Sequence, residues 1–190
     1  MWYVQKSDQH YSLTPQGKEY ANRMDAWDFH IQLQAKTGVL VCAVRGQCDE
    51  KEYLIYTREK HPFFGKQGFI TWKVKFGESI SEVAKRELWE EAHLIWEPKL
   101  VHIKHSFVYE KESKKLLEDK FFYFFLVQDP QGEAQGSEEG PVEWIARKDF
   151  STKITSIYYD FQDIMTIIDS LSTPNRQLTF EEKSYEVEDF

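Results

Sequence analysis

Between Gly77 and Leu94 the chain reads GESISEVAKRELWEEAHL, and this segment limits its own conformation more than any other. Ile80, Val83, Ala84 and Leu88 recur at i, i+3, i+4 and i+8, which is one apolar stripe of an amphipathic helix. Glu87, Glu90 and Glu91 stand at i, i+3 and i+4, so the same helix gathers three carboxylates on one face. Like charges at that spacing repel. The helix keeps them only if water solvates all three or cations sit between them. Carboxylate oxygens are the ligands that hard divalent ions such as Mg²⁺ take. Glu78 lies at the helix N-terminus, where the dipole favours an anion, and Arg86 reaches Glu82 or Glu90, four residues either way. By charge alone the pattern also describes an ordinary solvated face laced with Glu–Arg pairs.

Around this helix, 190 residues suit one domain with a small extension. Residues 1–27 read as that extension. Thr14 followed by Pro15 is a helix start, a hydroxyl N-cap and then Pro at the first helical position, for a short helix through about Met24. The domain is drawn over 28–172. Phe29, Ile31 and Leu33 alternate as in a strand. Val39 to Val44 is a continuous apolar run, and Glu52 to Arg58 is its hairpin partner across a turn at 46–51. Residues 59–77 read mostly as loop. Lys99 to Tyr109 and Lys120 to Val127 are two long strands, and FFYFFLV at 121–127, apolar on both faces, is a central one. Val142 to Ala146 is a short strand, and Ile157 to Leu171 an amphipathic helix. Strands on both sides of one helix, with another helix after them, predict a mixed α/β layered domain. Residues 173–190 end in EEKSYEVEDF and read as an acidic, solvated tail.

Composition narrows the function. A net charge of −8 disfavours a nucleic-acid partner, because phosphate backbones need clustered Lys and Arg. It leaves room for a small phosphorylated substrate, since divalent metals bridge two anionic partners. Cys42 and Cys48 show no paired spacing, which points to a reducing compartment; Cys42 reads as a buried small hydrophobe. The N-terminal residues carry no apolar signal-peptide core, and no run approaches the roughly 20 apolar residues of a membrane span. The expectation is a soluble, cytoplasmic protein with no membrane partner.

The spacing resembles the Nudix hydrolase signature, G-x5-E-x7-R-E-U-x-E-E-x-G-U, where U is a bulky aliphatic. Glu78, seven residues, then Arg86-Glu87-Leu88-Trp89-Glu90-Glu91 match the E-x7-R-E-U-x-E-E core at every fixed position, and Leu94 matches the final aliphatic. Phe69 to Glu78 looks like the family's strand-loop-helix approach. Two positions depart: Trp72 stands where the signature has its first Gly, and His93 where it has the late one.

The likeness spans roughly residues 36–172. It implies an α/β/α sandwich with a mixed β-sheet, MutT-like in type. It implies Mg²⁺, or Mn²⁺ in its place, and hydrolysis of a pyrophosphate linkage in a nucleoside diphosphate derivative by in-line attack of water. Carried over residue by residue, Glu87, Glu90 and Glu91 are metal ligands, one of them also a base, and the backbone carbonyl of Thr71 is a further ligand. Arg86 orients carboxylates, and Glu78 supports the metal shell. Glu139, with Glu138 second, is the loop carboxylate. Arg58, which closes the second hairpin strand, is a substrate contact whose fork suits phosphate or a purine edge; a surface Arg fits equally well. Phe69 is a stacking platform for a base or a core residue. His61, His102 and His105 have no ligand spacing. The placement of Arg58 leans toward a nucleoside triphosphate. The other reading is a Nudix-fold nucleotide-binding or regulatory module impaired in catalysis by Trp72 and His93. Trp2, Trp27 and Trp96 are candidate contacts of a homodimer.

Overall fold

The computed structural model describes residues 3–8, 10–25, 27, 30–47, 50–61, 63–170 and 177–188. Contacts divide the chain into two compact units, Met1–Gln34 and Ala35–Phe190.

In the first unit β1 (Val4–Ser7) and β2 (His10–Leu13) form an antiparallel pair, followed by α1 (Pro15–Asn22). The helix starts as predicted: the Gly17 N–H donates to Thr14 Oγ1 at 3.1 Å, and Pro15 needs no partner for a missing N–H. It stops short of Met24, where Arg23 N–H turns back to the Tyr20 carbonyl at 3.2 Å. The alternation at 29–33 makes no strand. Ile31 forms one isolated bridge with Met24, Leu33 is fully exposed, and Phe29 lies outside the described residues. Alternation becomes a strand only where a neighbour completes the backbone ladder.

The second unit is built on one mixed sheet. Its strands are β3 (Lys36–Arg45), β4 (Glu52–Thr57), β5 (Gln67–Gly68), β6 (Ile70–Lys73), β7 (Lys99–Glu110), β8 (Leu116–Gln128), β9 (Val142–Ala146) and β10 (Thr179–Val187). The order is β10-β7-β8-β3-β4-β5, with β6 on β3 and β9 on β4. The β10–β7 and β3–β8 pairs are parallel and the others antiparallel. As predicted, the run 121–127 is central, between β7 and β3.

The period of two sorts side chains into two cores. Leu40, Cys42 and Val44 of β3 and Phe122 and Phe124 of β8 face one layer. Phe150, which opens α3 (Phe150–Lys153), and Phe161, Ile164, Met165 and Ile168 of α4 (Phe161–Ser170) cover it. Val39, Val41 and Ala43 of β3 and Phe125 and Val127 of β8 face the other layer, with Val83, Ala84, Leu88 and Ala92 of α2 (Ile80–Ala92). Each fully buried large aliphatic or Phe contributes about 1.5–3 kcal/mol, and this burial fixes α2 on the sheet as the α/β/α sandwich requires.

One expectation is refined and two are corrected. The stretch 59–77 is mostly loop as expected, but it also carries two short strands, β5 and β6: β3 pairs with β4 at only two positions, Val44↔Tyr53 and Arg45↔Glu52, and β6 takes its earlier part, from Gly38↔Lys73 to Val41↔Ile70. The last helix begins at Phe161, while Ile157 is spent on a bridge to Gln67. Where it is described, the acidic end is mostly a strand and not a solvated tail; residues 173–176, 189 and 190 lie outside the described residues. Thr179–Val187 runs parallel to β7, and four of its five odd-numbered positions, Thr179, Glu181, Tyr185 and Val187, are half-buried, while Lys183 is exposed. Among the described residues no helix is long and apolar enough to cross a membrane.

Candidate functional site

Ser79 caps α2 by accepting from the Glu82 N–H at 3.3 Å. At the other end His93, with φ 55°, is a left-handed C-cap whose N–H returns to the last turn. With the apolar stripe in the core, the helix turns Glu87 and Glu91 inward and leaves Glu90 exposed. Arg86 collects the surrounding acids: it bonds Glu90 Oε2 at 2.9 Å and Glu78 Oε1 at 3.3 Å, and it pairs with Glu87. The second Glu78 oxygen accepts the Lys75 N–H at 2.9 Å and ties down the loop before the helix, where Gly77 turns the chain at φ 86°.

Glu87 is the least expected group in this set. It has no exposed surface, and neither of its oxygens makes a hydrogen bond of good geometry among the described residues. Burial pushes its carboxyl up to about 7; Arg86 opposes that shift, while Glu90 and Glu91 add to it. A buried oxygen without a donor is costly, and a cation would satisfy it. The donor chemistry, carboxylate oxygens on one helix face, fits a hard divalent ion. Among the described residues, no three His, Cys, Asp or Glu side chains converge closely enough to hold a metal as they stand.

Glu91 is also raised by burial, against which the Ser137 hydroxyl pulls it down. That hydroxyl donates to Glu91 Oε2 at 3.1 Å and accepts the Glu139 N–H at 3.1 Å. The loop holding Ser137 and Glu139 is pinned to β4. The Glu139 carbonyl accepts the Tyr56 hydroxyl at 2.9 Å and the Glu59 N–H at 2.8 Å, and Thr57 N–H bonds the Pro141 carbonyl at 2.9 Å. Gly140, at φ 152°, permits this approach, since a β-carbon there would fall on the Thr57 carbonyl oxygen. The Glu139 carboxylate meets Lys60 Nζ at 2.8 Å and Arg58 at 4.0 Å.

The structure therefore links Glu91, Glu139 and Arg58 through contacts, with Arg86 tying Glu78, Glu87 and Glu90 beside them. Glu138 is exposed. Thr71 lies on β6, opposite Leu40 and on a strand that contacts α2. Trp72 is extended strand opposite Val39, half-buried against the α2-side core, so no positive φ is required at this position. Phe69 corrects the stacking expectation. It is 3% exposed and stacks on Phe161 at 5.6 Å in the core beneath α3 and α4, because alternation through β5 and β6 turns it to that layer. Ser137 and Lys60 went unnoticed in the sequence; single residues in loops carry no periodicity to find them by. Cys42 is buried with a free thiol, and Cys48 lies outside the described residues.

The profile of the NUDIX domain matches residues 34–162. Among solved structures, a MutT mutator protein from Bacillus halodurans is 23% identical, with a TM-score of 0.60 over 80% of this chain and 90% of that one. The NUDIX domain of NrtR from Shewanella oneidensis, solved with ADP ribose, is 15% identical with a TM-score of 0.60, over 82% and 98%. A bifunctional NMN adenylyltransferase/ADP ribose pyrophosphatase from Francisella tularensis, solved with AMP and a Mn ion, is 17% identical with a TM-score of 0.56, over 81% and 46%. At these identities the likeness is one of fold. The profile match, over more than half the chain and across the whole of α2, decides the family: this chain belongs to the Nudix family, whose hydrolases act in general on nucleoside diphosphate derivatives.

Proposed function

We propose that this chain is a metal-dependent pyrophosphohydrolase that cleaves the pyrophosphate linkage of a nucleoside triphosphate or related nucleotide. The observation that carries the reading is Glu87, a buried carboxylate with an unpartnered oxygen on the same helix face as Glu90 and Glu91. Glu87, Glu90 and Glu91, with the Thr71 carbonyl and Glu139, would hold Mg²⁺ or Mn²⁺. The bound ions supply Lewis-acid stabilisation of the charge that develops on the phosphoryl oxygens. Arg86 orients Glu87 and Glu90, and Glu78 in turn fixes Arg86. Arg58 and Lys60 place two cations beside Glu139, where a substrate phosphate would compete for them. The AMP and Mn ion in the Francisella protein and the ADP ribose in NrtR support a nucleotide and a divalent ion as the partners of this fold. The reading takes the cytoplasm as the setting, which the free Cys42 thiol supports, and a homodimer through exposed Trp27 or Trp96; Trp2 lies outside the described residues.

A second reading, a nucleotide-binding module without turnover, rests on Trp72 and, to a lesser degree, His93 in the places of the two signature glycines. One experiment separates the two. A panel of nucleoside triphosphates, dinucleoside polyphosphates, nucleotide sugars and ADP-ribose is incubated with Mg²⁺, and released phosphate or pyrophosphate is measured for wild type, Glu90→Gln/Glu91→Gln and Trp72→Gly. The enzyme reading expects turnover that falls by about 10²-fold or more in the double variant and changes modestly in Trp72→Gly. Nucleotide binding without turnover in the wild type, with turnover gained in Trp72→Gly, establishes the module.

A further inference from the structure

Glu91 and Glu139 come from different elements, and a single side chain joins them. Ser137 has one hydroxyl proton and two lone pairs. The proton goes to Glu91 Oε2 at 3.1 Å, and a lone pair takes the Glu139 N–H at 3.1 Å. The backbone of Ser137 closes the same loop on itself: its N–H bonds the Gly140 carbonyl at 3.1 Å, and its carbonyl accepts the Gly140 N–H at 3.2 Å. With Gly140 and the Glu139 carbonyl fastened to β4 and the residues after it, the hydroxyl is held by a rigid frame and not by a loose tip.

We propose that Ser137 is a positioning residue that turns the Glu91 carboxylate toward a divalent cation and sets it in register with the loop carrying Glu139. The proposal rests on the reading of Glu91 as a cation ligand. Its chemistry follows from what a hydroxyl is. It occupies one carboxylate oxygen and fixes the plane of the group, and it brings no charge. Partners of this outer kind typically change metal affinity about 10–100-fold when removed.

The test is Mn²⁺ titration of the full chain, read from the loss of the free-ion electron paramagnetic resonance signal, in wild type, Ser137→Ala, Ser137→Thr and Glu91→Gln. Circular dichroism melts check that each variant is folded. The expected result is a dissociation constant about 10-fold weaker in Ser137→Ala, with affinity regained in Ser137→Thr, which keeps the hydroxyl. The KM for nucleotide should stay near wild type in Ser137→Ala at saturating Mg²⁺. Wild-type Mn²⁺ affinity in Ser137→Ala beside a loss in Glu91→Gln overturns the role of Ser137 and leaves Glu91 a ligand. Equal losses in the Ala and Thr variants assign the effect to loop packing and overturn it too. Unchanged affinity in Glu91→Gln overturns the parent reading of Glu91, and this proposal with it.

Discussion

At the residue scale the carboxylate of Glu87 carries the most consequence. Burial holds it protonated up to about 7 in the folded chain, against an ordinary 4.5. Between those values the folded state binds one proton more than the unfolded state, so stability falls as pH rises through the window. Glu91 and Asp160, both raised by burial, act in the same direction. A divalent ion binds the deprotonated form, so the stabilisation it gives should grow with pH over the same range. Thermal melts in EDTA and in Mg²⁺ across pH 5–8 check this, at pH values chosen to bracket about 7. The wild type should lose stability with rising pH in EDTA and regain it in Mg²⁺, and Glu87→Gln should flatten both trends. An EDTA profile that rises with pH in wild type and variant alike would sink the argument. The triplet Glu87, Glu90 and Glu91 was legible in the sequence because a helix has one period and the spacing admits no other face. Glu139 was legible only through family likeness, and its scaffold is visible only in three dimensions. Phe69 stayed open between a base platform and the core because a strand residue's face depends on which neighbour sets the register, and β6 pairs with β3 across some thirty residues of chain, as Val41↔Ile70 shows.

At the scale of elements, α2 follows its sequence closely: Ser79 caps it, the apolar stripe is buried, and it stops at His93. The stop has a cost. A non-glycine residue at φ 55° sits in a conformation that disfavours L side chains by roughly 1–2 kcal/mol. His93 recovers part of that through an edge contact with Trp89 at 5.3 Å, worth about 0.5–1.5 kcal/mol when buried and at the lower end here, because Trp89 is half-exposed. The balance favours glycine. His93→Gly is expected to stabilise the fold by roughly 0.5–1 kcal/mol, raising the urea midpoint and leaving catalysis unchanged; a lowered midpoint would show that the side-chain contacts, the Trp89 ring and the long 3.4 Å contact of Nδ1 with the Gln135 carbonyl, outweigh the backbone strain. The elements that the sequence hid share a different property. β6 and β5 are too short for periodicity to register, and β1 and β2 expose every described residue, so neither shows the apolar alternation that marks a strand against a core.

At the scale of the whole molecule, β10 shows what composition alone misses. Its charge reads as solvated tail, yet the strand completes the β7 edge, where an open ladder would otherwise face solvent. Beyond the backbone ladder to β7 and the contacts of His102 with Thr179 and His105 with Glu182, two kinds of side-chain contact differ in burial. Lys111–Glu188 and Lys114–Glu186 each close at 2.7 Å, but both pairs are more than half exposed, and such pairs contribute about 0–1 kcal/mol. Tyr185 is different. Its hydroxyl donates to Asp163 at 2.8 Å, and its ring lies 4.7 Å from the ammonium of Lys104, which is wholly buried with Asp160 at 3.4 Å. Removing the ring would uncover a desolvated ion pair as well as lose packing, so Tyr185→Ala should cost roughly 1–3 kcal/mol. Lys111→Ala/Lys114→Ala should cost less than about 1 kcal/mol, and Tyr185→Phe, which keeps the ring and loses only the bond to Asp163, should fall between them. Urea unfolding of the three variants ranks these terms. If the lysine pair proves the costlier, then β10 is held by its surface charges, and raised salt alone should loosen it; if Tyr185 dominates, salt should leave the strand in place, because the ion pair it covers is out of reach of screening.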